Sequence, residues 1–224
     1  MARRKKSSTR RIALWIVVIA LVVVAAGVGL QRMHAPYVPV VNPINAEHSD
    51  TTEPGRRVTI AGKLEIRQPP SDAQFGIAAD AAILLREVSM YQWRERCLGG
   101  NCRYDNAWSG LPVDSRKFHV PEGHENPPLP FADARFNAGE IHLGGLTVAP
   151  ELAAAHLAAV SYPVHADALP PNLAATFREV DGNLYAGGDP ARPKIGELRV
   201  SYRIVPTGAA TLSGVQRGAK LTEN

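Results

Sequence analysis

Histidine and carboxylate side chains gather at one place in this 224-residue chain. His119, Glu122, His124 and Glu125 fall within seven residues, and His142, His156 and His165 follow. Imidazole and carboxylate together can bind a divalent cation or move a proton near neutral pH, which makes His119, His124 and Glu122 the candidate metal ligands. The surrounding sequence is Pro-rich and offers no helix to set ligands four apart on one face. The same residues fit a fixed turn, Gly123-His124-Glu125-Asn126-Pro127, in which Asn and His side chains bond backbone amides. Asp114-Ser115 with His124 has the residue types of a nucleophile set, but not a spacing that supports one. There is no G-x-S-x-G, no phosphate-binding Gly-rich loop, no H-E-x-x-H and no dinucleotide fingerprint. The sequence therefore predicts no catalytic residue, no metal and no cofactor.

Cys97 and Cys102 are the only cysteines, separated by Leu98-Gly99-Gly100-Asn101. The flanking runs Met90–Arg96 and Arg103–Trp108 are rich in aromatic residues and read as strands, with Gly-Gly-Asn as turn chemistry. If Cys97 faces Cys102 across a hairpin, Tyr91 opposes Trp108 and Glu95 opposes Tyr104. Alternation then puts Tyr91, Trp93, Tyr104 and Trp108 on one face. Directly opposed strand residues can form a disulfide, which persists in oxidising compartments. The alternative, a redox pair, lacks the C-x-x-C spacing.

The compartment follows from the first thirty residues. Ile12–Leu30 is a run of nineteen residues without charge, long enough as a helix to span roughly 28 Å of a bilayer core ~30 Å thick. Arg3, Arg4, Lys5, Lys6, Arg10 and Arg11 precede it, and only Arg32 follows closely. The positive-inside rule then leaves the N-terminus cytoplasmic and the rest beyond the membrane. The six basic residues can also meet anionic lipid headgroups. A cleaved signal peptide usually has a shorter apolar stretch, so an uncleaved signal-anchor is expected. Without those six residues the chain carries slightly more acid than base, so its pI near 9.2 describes a tail. A nucleic-acid-binding body, with positive charge clustered on a folded surface, is excluded.

The division expected is a cytoplasmic tail (1–11), a transmembrane helix (12–30), a linker (31–55) holding at most one short strand at Tyr37–Val41, and a β-rich domain (56–221). Val58, Ile60, Leu64 and Ile66 alternate as a strand, or as a pair broken at Ala61-Gly62. Pro69-Pro70-Ser71-Asp72 reads as a turn, and Leu84, Val88 and Met90 lead into the aromatic hairpin. Residues 114–138 read as irregular chain pinned by Phe118, Phe131 and Phe136. Ile141–Val148 is a strand pair or a bent strand through Gly144-Gly145, and Pro150 opens a short helix to about Ala159. Phe177–Val180 and Leu184–Tyr185 flank a hairpin turn. Leu198, Val200, Tyr202 and Ile204 form one face of a strand, and Thr211–Gln216 is the last. The fold expected is mainly β, an antiparallel domain with one or two short helices behind a single membrane helix.

Several strings then resemble one family. Leu84-Leu85-Arg86-Glu87-Val88-Ser89-Met90-Tyr91-Gln92-Trp93 is similar to the L-x-R-x-V-E-M-Y-Q-W signature of the transmembrane protein 43 (LUMA) family. Trp108 with Asp114-Ser115 and Phe118 resembles its W…D/N-S-x-x-F stretch. Gly123-His124-Glu125-Asn126-Pro127 matches its G-H-x-N-P element. Ile195-Gly196-Glu197-Leu198-Arg199-Val200-Ser201-Tyr202 resembles its V-G-D-L-R-V-S-F strand, Gln216-Arg217-Gly218 its Q-R-G end, and Arg57–Gly62 its V-H-V-x-G strand. The resemblance runs from about Gly55 to Leu221. It implies a membrane-organising or scaffolding protein without established catalysis, whose animal members sit in the endoplasmic reticulum and inner nuclear membrane with lamina-associated partners.

Family members typically continue into further membrane helices, whereas this sequence ends at Asn224, which reads as a single-pass or truncated relative. The function expected is a non-catalytic scaffold of the inner membrane, single-pass, with its domain periplasmic or otherwise extracytoplasmic. Its expected partners are the lipid bilayer and other envelope or membrane proteins, with no nucleic acid. The alternatives are an extracytoplasmic metal-dependent hydrolase centred on His119 and His124, and a lipid- or small-ligand-binding barrel.

Overall fold

The computed structural model describes residues 55–223 and the backbone of Ile44–Asn45. The basic tail, the apolar segment 12–30 and Tyr37–Val41 lie outside the described residues. Among the described residues no helix is long and apolar enough to cross a membrane.

Fifteen strands follow one another: β1 (Ile44–Asn45), β2 (Arg56–Ile66), β3 (Ser71–Asp72), β4 (Ile77–Ala78), β5 (Ala81–Leu98), β6 (Asn101–Ser109), β7 (Ala134–Asn137), β8 (Ile141–Leu143), β9 (Leu146–Val148), β10 (Val160–Tyr162), β11 (Arg178–Val180), β12 (Asn183–Ala186), β13 (Leu198–Pro206), β14 (Gly208–Arg217) and β15 (Lys220–Thr222). Two short helices accompany them, α1 (Pro150–His156) and α2 (Pro171–Ala174).

Two sheets share the work. In the first, β2 pairs with β14, β14 with β15, β15 with β9, β9 with β8, and β8 again with β2, closing a small barrel. Alternation sends Ile60, Leu64, Ile141, Leu143, Leu146, Leu212 and Leu221 inward, and α1 adds Leu152 and Ala153. The interior is thus filled by aliphatic side chains, each worth about 1.5–3 kcal/mol when fully buried, as expected of a barrel this small. β2 is continuous through Ala61-Gly62, because β14 pairs along its length from Arg56 to Leu64. Ile44–Asn45, read from sequence as linker, adds a parallel strand to β2. That pairing and β15–β9 are parallel exceptions in an otherwise antiparallel fold.

The second sheet runs β11-β12-β13-β5-β6, with β10 on β13 and β7 on β5. On β5 the even positions Leu84, Val88 and Met90 face a core shared with Phe75, Leu173, Phe177, Leu184, Leu198, Val200 and Tyr202. β7 lies in the stretch expected to be irregular. Its Ala134–Asn137 has too little apolar rhythm to read alone, and it is held by pairing with Ile83–Arg86. β10 likewise exists through its neighbour β13. The turn expected at Pro69–Asp72 falls slightly later, between the two-residue strands β3 and β4.

Candidate interaction surface on the long hairpin

β5 outlasts β13. Its last eight residues pair only with β6, and the register is Tyr91 with Trp108, Glu95 with Tyr104 and Cys97 with Cys102, as the cysteine spacing predicts. Leu98 pairs with Asn101 across Gly99 and Gly100, whose φ values of 55° and 83° suit the mirror-image turn that matches strand twist. Cys97 and Cys102 form a disulfide. Leu98 at the tip is 87% exposed.

The predicted aromatic face exists. The Tyr91 and Trp108 rings are 5.4 Å apart, and His124 stacks on Tyr104 at 3.8 Å while meeting the Trp93 ring edge-on at 4.9 Å. Arg199 lies over Trp108 at 4.0 Å, a cation–π contact. Tyr104 donates to Glu95 and accepts from the Val120 N–H. Desolvation first, and the bond to Glu95 second, push its phenol above its usual pKa.

Residues 110–127 wrap round β5 as a strap. On the core side the buried Gln92 amide donates to the Ser109 and Leu111 carbonyls and accepts from the Val113 N–H. At the edge that β13 vacates, Asn126 accepts from the Trp93 N–H at 2.7 Å and donates to the Trp93 and Val113 carbonyls at 3.0 and 3.3 Å. The buried Ser115 hydroxyl accepts from the Asn126 N–H. On the opposite face Phe118 and His124 cover Tyr104. Pro127 explains Gly196, where φ is 91° and a Cβ would come 3.1 Å from the proline ring.

The charged member of the first motif is Arg86, buried at 7% exposure in the row Leu84, Val88, Met90. Its Nη1 meets Asp72 Oδ2 at 2.7 Å and Gln74 Oε1 at 2.9 Å, and its Nε donates to the Ala132 carbonyl. Asp72 also accepts from the Tyr202 hydroxyl at 2.8 Å and from the Gln74 and Phe75 N–H groups. Burial, then the bond to Asp72, drives the Tyr202 phenol far above its ordinary pKa. Among the described residues no buried side-chain polar atom lacks a partner. At the start of β13, Tyr185 donates to Glu197. Burial and that bond push the phenol up to about 12.

The candidate metal ligands are not brought together. Among the described residues the one grouping of ligand atoms is Glu95, Cys97 and Cys102, and both sulfurs are spent in the disulfide. His119 and Glu122 are exposed, and the His119 N–H donates to Glu95. The His124 Nδ1 faces the Val120 carbonyl at 3.1 Å, closing the turn expected for it. Among the described residues the other histidines bond elsewhere, His142 to Glu140, His165 to Glu179, and His156 to the Ser213 N–H. Asp72, Gln74 and Asp133, whose carboxylate accepts from the Val88 N–H, were not legible as site residues. The signal for Asp72 is Arg86 itself, since a cation within an apolar row demands an acid.

The motif residues thus converge on one strand although they are far apart in the chain: Arg86, Val88, Met90, Tyr91, Gln92 and Trp93 on β5, Trp108 opposite, His124, Asn126 and Pro127 in the strap, and Gly196 and Arg199 beside them. The family model described as Transmembrane protein 43 matches residues 90–223, more than half of the chain. Transmembrane protein 43 of Mus musculus is 26% identical over 212 residues, covering 81% of this chain and 50% of the mouse protein. The Homo sapiens protein of the same name is 31% identical over 100 residues, 39% of this chain and 25% of its own length. The Drosophila melanogaster homologue is 31% identical over 87 residues, covering 33% and 23%. The chain therefore spans half or less of the curated relatives it matches. No solved structure matches it. By the ordered motifs, and by the match to the segment that builds β6, the strap and β13, the chain belongs to the transmembrane protein 43 family.

Proposed function

We propose that the protein is a membrane-anchored, non-catalytic scaffold whose β domain stands on the extracytoplasmic side and organises other membrane or envelope components. The observation that carries this reading is the use the fold makes of its motif residues. Arg86 spends its polar atoms on bonds inside the core of the domain, and Gln92 and Asn126 spend theirs tying the strap to the base of the long hairpin. Such residues build a rigid display surface more readily than an acid–base site. The Cys97–Cys102 bond supports an oxidising location. The names of the relatives and the uncharged run 12–30 support the anchor, and the six preceding basic residues support its orientation.

The test is fractionation of the full chain. The protein stays in the membrane pellet after alkaline carbonate, and protease added to the extracytoplasmic face of sealed vesicles removes the β domain. Release by carbonate, or protection from that protease, would sink the anchored reading. The hydrolase alternative has its own test, since stoichiometric metal lost on His124→Ala would favour it. A lipid adduct retained in native mass spectrometry would favour the ligand-binding alternative.

A further inference from the structure

Among the described residues β6 is an edge strand with no strand paired to its outer side. Tyr91 gives its N–H to Glu197 and takes the Gly196 N–H on its carbonyl, while both backbone groups of Trp93 bond to the Asn126 side chain. Successive residues of a strand direct their N–H and C=O groups to opposite edges. On this part of β5 the odd residues therefore point away from β6 and the even ones bond to it. Through the register, Asn101, Arg103, Asp105, Ala107 and Ser109 bond to β5. The backbone groups of Cys102, Tyr104, Asn106 and Trp108 then point outward. None of them has a partner among the described residues. The strap passes round the opposite edge, at Trp93, and makes no bond to these four residues' backbone groups.

Long open edges are usually blunted by Pro, by a bulge, by charged side chains or by a covering element. β6 has neither Pro nor a register shift over its nine residues. Its two charges, Arg103 and Asp105, are opposite in sign and two positions apart. Arg103 makes no ion pair among the described residues, while Asp105 meets Arg94 at 3.2 Å and Arg96 at 3.4 Å on the same face.

We propose that β6 pairs antiparallel with β6 of a second copy of the chain, centred on Tyr104, so that the two sheets join across a two-fold axis. That register places Arg103 of each copy directly opposite Asp105 of the other, Cys102 opposite Asn106, and Tyr104 opposite Tyr104. Neighbouring symmetric registers are worse. Centring on Arg103 or on Asp105 sets like charges face to face, which is unfavourable in a cross-strand pair, and centring on Asn106 leaves Asp105 opposite Ala107. In the Tyr104 register three outward residues per strand meet outward residues of the other, for about six inter-chain backbone bonds. The partner is specified as a second copy because β6 complements its own charge pattern when reversed. This pairing does not depend on the membrane anchor.

The experiment is sedimentation of the full chain in density-matched detergent micelles across a range of protein concentration. The wild type shows a concentration-dependent dimer. Asn106→Pro removes an outward N–H and spares the ladder to β5, a placement proline tolerates on edges. It keeps the far-UV circular dichroism of the wild type and raises the dimer dissociation constant about tenfold or more. Arg103→Asp does the same by setting Asp against Asp, and the exchange Arg103→Asp with Asp105→Arg restores pairing to within about threefold of wild type. A chain that stays monomeric, or a dimer that Asn106→Pro and Arg103→Asp leave intact, overturns the proposal. A dimer lost in Asn106→Pro but indifferent to the charge variants overturns the register, and the proposal with it. Should Asn106→Pro fail to fold, the charge variants decide alone.

Discussion

The Asn126 side chain acts as a strand beside Trp93, accepting its N–H at 2.7 Å and donating to its carbonyl at 3.0 Å. β13 starts at Leu198, opposite Met90 and short of this point, Gly196 and Glu197 bond Tyr91, and a single carboxamide continues the ladder. Asn126→Ala leaves the two Trp93 groups and the Val113 carbonyl without partners and loosens the strap. The expected cost is about 1–3 kcal/mol, read as a lowered urea midpoint. Asn126→Asp keeps an acceptor for the N–H but sets an oxygen against the carbonyls, so it is expected to be no more stable than the alanine variant. Unchanged midpoints for both would show that the strap is held elsewhere.

Arg86 and Asp72 form an ion pair 7% and 1% exposed, completed by the Tyr202 hydroxyl. Breaking such a pair from one side leaves a buried charge, at a cost of about 3–5 kcal/mol. Since domains are stable by only about 5–15 kcal/mol, Asp72→Ala and Arg86→Ala are expected to accumulate poorly and to melt well below wild type. Tyr202→Phe removes one neutral donor and keeps the ring, so its expected loss is about 1–2 kcal/mol. Thermal melts of the three variants check the order, and a Tyr202→Phe as damaging as Asp72→Ala would contradict it.

The sequence made the hairpin legible because its signals are local: Gly99-Gly100 fixes the turn, the cysteine pair fixes the register, and alternation then assigns Tyr91, Tyr104 and Trp108 to a face. The strand at Leu198–Ile204 and the Asp181-Gly182 turn were legible for the same reason. β7 and β10 were not, because each is short and exists through pairing with a longer strand. Barrel closure was also hidden, since contact of β2 with both β14 and β8 is a property of the whole chain. The cluster His119, Glu122 and His124 suggested ligands because proximity in sequence does not specify direction. In the folded domain His124 turns to the Tyr104 ring and His119 and Glu122 to solvent.

Glu197 links acid stability to the start of β13. Burial opposes its charge, but the Tyr185 hydroxyl and the Gly188 N–H outweigh that and hold the carboxyl below its ordinary value near 4.5. A carboxyl with a depressed folded pKa stabilises fully above its unfolded value, and that stability is lost as pH falls through the folded one. Glu197→Gln is therefore expected to weaken the protein at neutral pH and to flatten its acid limb. Tyr185 shows the opposite sign. Its raised pKa of about 12 contributes stability that is present below 10 and lost as pH rises through that window. Urea midpoints against pH for Glu197→Gln and Tyr185→Phe check both limbs. Parallel profiles for wild type and Glu197→Gln on the acid side would exclude this role.

The Cys97–Cys102 bond closes a loop with a sequence separation of five. Chain-entropy arguments assign a loop this short no more than about 2 kcal/mol, and part of that constraint already comes from the Gly99-Gly100 turn and the pairs beside it. Reduction, or Cys97→Ser with Cys102→Ser, is accordingly expected to lower stability by less than about 2 kcal/mol and to leave the sheet intact. Its larger effect is expected at the tip. Amide exchange should rise at Arg96, Leu98 and Arg103 while staying protected at Met90, which pairs with β13 and β6, and at Gln92, which the strap holds from the core side. Non-reducing peptide mapping first establishes the bond in the isolated protein. A reduced form that exchanges uniformly along β5 would mean that the disulfide, and not the strap, secures the hairpin.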